Sequence, residues 1–162
     1  MLKMLIMSKR FCVYTVITGG FDTIKQPLVT DERFDYVIFS DVPINDAGVW
    51  QVRNIEYKTT NNRLLSRFPK IHPDIVLPEY SAWLYIDGTL QITSKYVYDR
   101  CVKLANDGID WAAIKHQYRQ CAYEEMDSII NLKWVHDYDC IEWYRIMRND
   151  NYPFHNIYHI KF

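Results

Sequence analysis

Three stretches of this chain are apolar, rich in β-branched and aromatic residues, and as long as one strand. Each stops at a polar residue able to hold a ligand. They are Phe11–Ile17, followed by Thr18-Gly19-Gly20; Asp35–Asp41, finishing on Ser40-Asp41; and Ala82–Ile86, followed by Asp87-Gly88-Thr89. Runs this continuous read as strands buried on both faces. Strands of that kind belong to α/β domains, in which helices cover the sheet. Ligands there bind beyond the carboxyl ends of the strands. Each polar end by itself also reads as an ordinary turn. If the strands are parallel, however, all three ends meet at one edge, and that convergence says more than any one of them.

The segments between the runs support this reading. Val49–Ile55 reads as a further strand and Trp111–Ile114 as a short one. Asn62–Ile71 reads as a helix with Thr60 or Asn61 as its N-cap. Ser94 caps a second helix with the stripe Val97, Cys101, Leu104 and Ala105. Met126, Ile129, Ile130 and Trp134 mark a third helix face, and Cys140, Trp143, Tyr144 and Met147 a fourth, before Pro153. The expectation is one α/β domain over residues 1–162, with a Rossmann-like, mostly parallel sheet flanked by helices and a core over 11–153.

Composition narrows the partners. The net charge of −1 leaves no electrostatic footprint for nucleic acid and no polybasic membrane patch. The apolar start, Met1–Met7, is too short to span a bilayer and lacks a signal-peptide layout. The four cysteines fit no zinc spacing; Cys12, Cys101 and Cys140 sit on apolar stretches and are expected as buried thiols in a reducing cytoplasm. The 13 Tyr and 5 Trp suit either a core or a surface that stacks on sugars and bases.

The helix over 62–71 divides by face. Leu64, Phe68 and Ile71 fall at i, i+4, i+7 and are expected to be buried. Arg63, Arg67 and Lys70 share the same spacing on another face. Like charges so placed repel one another, and a diphosphate is a reason to gather them, since arginine forks match its oxygens. A solvated face with partners elsewhere is the other reading. His116 follows the short strand and suits a metal or a phosphate. Glu124 and Glu125 open a helix, where the dipole alone favours carboxylates; Glu124 is the candidate catalytic group of the two. The tail carries His136, His155 and His159. The alternation around 156–160 reads as a strand with both later histidines on one face.

Four blocks in order carry a family resemblance. They are Val13-Tyr14-Thr15-x-x-x-Gly19-Gly20-Phe21-Asp22 with Asp35-Tyr36-Val37-x-Phe39-Ser40-Asp41; Arg63-x-x-x-Arg67-x-x-Lys70-x-His72-Pro73; Pro78-Glu79-Tyr80-x-x-Trp83-x-x-Ile86-Asp87-Gly88; and His116-x-x-Arg119-x-Cys121-x-Tyr123-Glu124-Glu125. Together they resemble a glycosyltransferase-like family, long known as a domain of unknown function. It is found in bacterial surface-polysaccharide proteins and in plant Golgi proteins related to mucilage and pectin synthesis. The resemblance implies the A-type glycosyltransferase fold and transfer of a sugar from a nucleotide-diphosphate donor to a glycan acceptor. It places Tyr14, Thr15 and Asp41 near base and ribose, with Gly19 and His116 also on the donor. Arg63, Arg67 and Lys70 fall near the diphosphate. Asp87 takes the first position of a D-x-D motif, as catalytic residue and ligand to Mn²⁺ or Mg²⁺, and Glu124 is the candidate base. Two departures accompany it. Thr89 stands at the second D-x-D position, and residues 154–162 lack the Gly-Leu-x-Glu-like block that such chains carry, as a C-terminally truncated domain would. The alternatives are a non-catalytic nucleotide- or glycan-binding remnant and a subunit peripherally associated with a polysaccharide assembly complex.

Overall fold

The computed structural model describes residues 11–114, 117–119, 121–134 and 137–151. His116, His136, His155, His159 and Pro153 lie outside the described residues. The chain falls into two compact units, Met1–Gly108 and Ile109–Phe162.

The first unit holds a parallel sheet of four strands in the order β3-β2-β1-β4. The strands are β1 (Phe11–Ile17), β2 (Phe34–Ser40), β3 (Gln51–Asn54) and β4 (Ala82–Tyr85). β1 is central and buried along its whole length, as its unbroken apolar run requires. Tyr14 stands opposite Val37 on one side and Tyr85 on the other. Side chains alternate across the sheet. Phe11, Val13 and Ile17 therefore join Tyr36, Ile38, Trp50 and Tyr98 on one face, while Cys12, Tyr14 and Val16 join Val37, Phe39, Leu77 and Tyr80 on the other. Helices α1 (Asn62–Ile71) and α2 (Pro73–Val76) precede β4, and α3 (Tyr96–Asn106) follows it. The arrangement is an α/β, Rossmann-like sheet with flanking helices, as the sequence led us to expect.

Tyr98, fully buried on α3, satisfies its hydroxyl in a short chain: it donates to the Val29 carbonyl at 2.7 Å and accepts from Tyr36 at 3.0 Å. A buried hydroxyl left unpaired would cost about 1–3 kcal/mol. The N-cap of α3 is Lys95, with no side-chain capping bond, and not the expected Ser94, which stands one residue earlier and accepts from the Tyr96 amide at 3.2 Å.

α1 has the expected bounds, and the Asn61 side chain accepts from the amides of Arg63 and Leu64 at 3.0 and 3.2 Å. Its buried face differs from the expectation. Leu65 and Pro69 are buried, whereas Leu64 and Ile71 are exposed, and Phe68 is half-buried with its ring stacked on Tyr57. Each residue turns the helix by 100°, so seating Leu65 rotates Leu64 outward. Tyr14 holds the helix in that setting by donating to the last-turn carbonyl of Lys70 at 3.0 Å.

Two strand expectations shorten. β3 spans Gln51–Asn54 instead of Val49–Ile55, and Val49 is exposed. Trp111–Ile114 forms only an isolated bridge at Ile114; Trp111 and Ile114 are 70% and 75% exposed, so the run lacks the burial that sustains a strand. The second unit contains α4 (Ala122–Asn131) and α5 (Asp137–Asn149). Tyr144 on α5 donates to the Tyr123 carbonyl at 3.2 Å and to the Asp127 carboxylate. Cys121 and Cys140 are buried, while Trp134 lies beyond the end of α4 and, like Trp143, is exposed. No helix among the described residues is long and apolar enough to cross a membrane.

Candidate functional site

The carboxyl edge of the sheet opens into a cleft of about 390 Å³ within the first unit. Its floor comes from the ends of β1 and β4, and one wall from α1. Val16, Thr18, Tyr85, Asp87, Gly88 and Thr89 contribute from the strand ends. Asn62, Arg63, Ser66, Arg67 and Lys70 contribute from the helix, and Phe21 and Asp22 from the loop after β1. From Asn62 to Lys70 the wall runs about 12 Å along the helix axis.

The loop is shaped by its glycines. Gly19 and Gly20 both have φ +65°, in the left-handed region. A Cβ on Gly19 would lie 3.0 Å from the Phe21 ring and 3.1 Å from the Asn62 side chain. Asp41, from the end of β2, accepts from the Gly19 amide at 2.9 Å, and Thr18 Oγ1 donates to the Asn62 carbonyl at 3.4 Å. The turn thereby joins β1, β2 and α1, and it presents Phe21 at 83% exposure on the cleft rim.

The three cations expected on one face of α1 do line one cleft. Among the described residues neither Arg63 nor Arg67 has a carboxylate partner, whereas Lys70 has Asp87: Nζ donates to Oδ1 at 3.1 Å. The same oxygen accepts from Tyr85 Oη at 2.8 Å, and the Lys70 ammonium sits 4.3 Å from the centre of the Tyr85 ring. Partial burial pushes the Asp87 carboxyl upward, but the bonds from Tyr85 and Lys70 outweigh it and hold the group below the ordinary carboxylate value. Tyr85 shifts upward, first from burial, then from its bond to Asp87, with the charge of Asp22 adding to it.

Several expected site residues are placed differently. Tyr14 and Thr15 are 2% and 3% exposed and do not line the cleft. Neighbours on a strand point to opposite faces, so Tyr14 packs beneath α1 while Thr15 points away from it. Asp41 is exposed, but its carboxylate is engaged with the glycine turn. His116 lies outside the described residues. Glu124 is in the first turn of α4, in the second unit, with its carbonyl accepting from Ser128 Oγ at 3.0 Å. Glu125 beside it pairs with Arg119.

The cleft also contains residues that sequence reasoning passed over. Tyr85 is hidden in an apolar run, and Asn62 and Ser66 in the helix pattern. Asp22 was legible only as part of a glycine-loop block; its Oδ2 comes within 3.4 Å of where a Cβ on Gly88 would stand. Asp22 and Asp87 are thus the carboxylates of the cleft. Among the described residues no group of three or more His, Cys, Asp or Glu could hold a metal ion. With Oδ1 of Asp87 already holding an ammonium, and Thr89 offering a hydroxyl, this donor set does not fit a protein-built divalent centre.

Comparison of the chain with protein-family models, with curated proteins and with solved structures returned no match.

Proposed function

We propose that the protein binds a nucleotide-diphosphate sugar in this cleft and transfers the sugar to a glycan acceptor, in the cytoplasm. One observation carries the reading: three cations from one helix face and an aspartate from a strand end line a single cleft at the carboxyl edge of a parallel sheet. That edge is where open α/β sheets take their ligands. Guanidinium forks are complementary to phosphate oxygens.

The chemistry is displacement at the anomeric carbon. The acceptor oxygen forms a bond to that carbon, and the bond to the diphosphate oxygen breaks. The electron pair leaves on the diphosphate, where Arg63, Arg67 and Lys70 stabilise it; charge developing in the transition state is what preorganised cations act on. The acceptor proton goes to a carboxylate base if configuration inverts. Asp87 is a poor base, because a carboxyl held below its ordinary value has little proton affinity near neutral pH. It serves instead as a fixed acceptor for hydroxyls of the donor sugar.

The test is a screen of nucleotide sugars for hydrolysis and for transfer to glycan acceptors, comparing wild type with Arg67→Ala. Turnover of one donor, reduced about 10²-fold or more in the variant, is expected. Absence of turnover with retained nucleotide binding would identify a binding remnant instead, and absence of both would refute the reading.

A further inference from the structure

We infer that the cleft neutralises a bound diphosphate with its own cations and needs no divalent metal ion to hold it. This rests on the nucleotide-diphosphate reading above.

Asp87 is the carboxylate of the cleft best placed to carry a metal. Its Oδ1 accepts from Lys70 Nζ at 3.1 Å and from Tyr85 Oη at 2.8 Å. A divalent ion on that oxygen would sit about 2.0–2.1 Å away if it were Mg²⁺, directly against an ammonium. Lys70 is not free to swing aside at no cost, because it also lies over the Tyr85 ring. The second carboxylate of the cleft, Asp22, approaches the backbone at Gly88, and Thr89 replaces what a two-aspartate clamp would use. A metal on Oδ1 would thus share its ligand oxygen with an ammonium already in place, and one on Oδ2 would have a single carboxylate oxygen beside that same cation.

The rest of the wall supplies what the metal would otherwise provide. Arg63 and Arg67 stand beside Lys70 on one face of α1 and, among the described residues, have no carboxylate to neutralise them. Placing three cations at this spacing on one helix is mildly unfavourable until an anion arrives. A diphosphate relieves that repulsion and meets two guanidinium forks.

Calorimetric titration of the full chain with UDP, GDP, ADP, CDP and TDP, in buffer containing EDTA and in buffer containing Mn²⁺, tests this. One diphosphate is expected to bind with closely similar affinity in both. Arg67→Ala should weaken it about tenfold, with Arg67→Lys recovering part of the loss. Circular dichroism on both variants establishes that they fold. Asp87→Asn gives the decisive sign. Freed from its ion pair, Lys70 is then available to the anion, and binding in EDTA tightens about two- to fivefold. Binding only in Mn²⁺, or loss of binding in Asp87→Asn, would overturn the inference while leaving the nucleotide reading intact. No binding of any diphosphate in either buffer would remove that reading, and the inference with it.

Discussion

Lys70, in the last turn of α1, places its ammonium 3.1 Å from Oδ1 of Asp87, the residue that follows β4 by two positions. This pair spans the cleft and joins its helical wall to its strand floor. The same carboxylate oxygen takes the Tyr85 hydroxyl, so Asp87 is oriented from two sides. The side chains are 44% and 57% exposed, so the pair orients the site more than it stabilises the fold.

The Lys70–Asp87 pair makes a titration prediction. The folded-state value of Asp87 lies below its unfolded one, because the bonds from Tyr85 and Lys70 outweigh partial burial. Its contribution is therefore present above the unfolded value, near ~3.9, and is lost as pH falls through the lower folded value. Screening at this exposed site limits that contribution to about 0.5–1 kcal/mol. In Lys70→Met, the Asp87 midpoint read by carbon NMR should rise. An unchanged midpoint would mean that the pair does not form in solution.

The rotation of α1 predicts which leucine matters. Leu65→Ala removes a buried side chain and should cost about 2–4 kcal/mol. Leu64→Gln, one residue earlier and 47% exposed, should change stability by less than about 0.5 kcal/mol. Urea unfolding of both variants checks this, and equal losses would place the wrong face of the helix on the sheet.

Tyr14 separates a core role from a site role. Tyr14→Phe loses the bond to the Lys70 carbonyl and should reduce stability by about 0.5–1.5 kcal/mol. Because Tyr14 does not line the cleft, nucleotide affinity should stay close to wild type. A large loss of affinity with unchanged stability would return Tyr14 to the binding site.

The glycine turn should tolerate substitution unequally. Gly19→Ala meets both a left-handed backbone and the Phe21 ring at 3.0 Å, and should cost about 1–2 kcal/mol or more. Gly20 has open space around it, and asparagine tolerates its φ of +65°. Gly20→Asn should therefore lose less than Gly19→Ala by thermal unfolding. Gly20→Ala, at the same φ but with nothing in reach of its Cβ, isolates the Phe21 contact: a loss equal to that of Gly19→Ala would show that backbone conformation alone sets the cost.

Much of the first unit was legible in the residues. The runs Phe11–Ile17 and Asp35–Asp41 match β1 and β2 closely, because an unbroken apolar run has few ways to be buried other than as a strand inside a layered sheet. Asn61 marks the start of α1, because capping is a bond to amides two and three residues on. The edge strand β3 was harder to bound. Most of its residues are exposed, and the apolar Val49 ahead of it is 46% exposed. Trp111–Ile114 failed for the same reason: aromatic and β-branched content favours a strand only where neighbours cover it.

The candidate site divides along similar lines. The cationic face of α1 follows from spacing alone, since Arg63, Arg67 and Lys70 must share a side of any helix over these residues. Which side faces the sheet does not follow. Leu64, Phe68 and Ile71 make the better apolar stripe by count, yet Leu65 and Pro69 are the pair that is buried. Thus the sequence by itself determined the two inner strands β1 and β2, the bounds of α1 and the grouping of its cations. All of these depend on interactions within a few residues, or on the apolar continuity of one segment. Only the tertiary structure decided that Tyr14 and Thr15 belong to the core, that Asp41 braces a glycine turn, and that Lys70 meets Asp87. Those outcomes depend on the rotation of α1 over β1 and on the register of β4. That rotation and that register come from packing between residues dozens of positions apart, which no local pattern encodes.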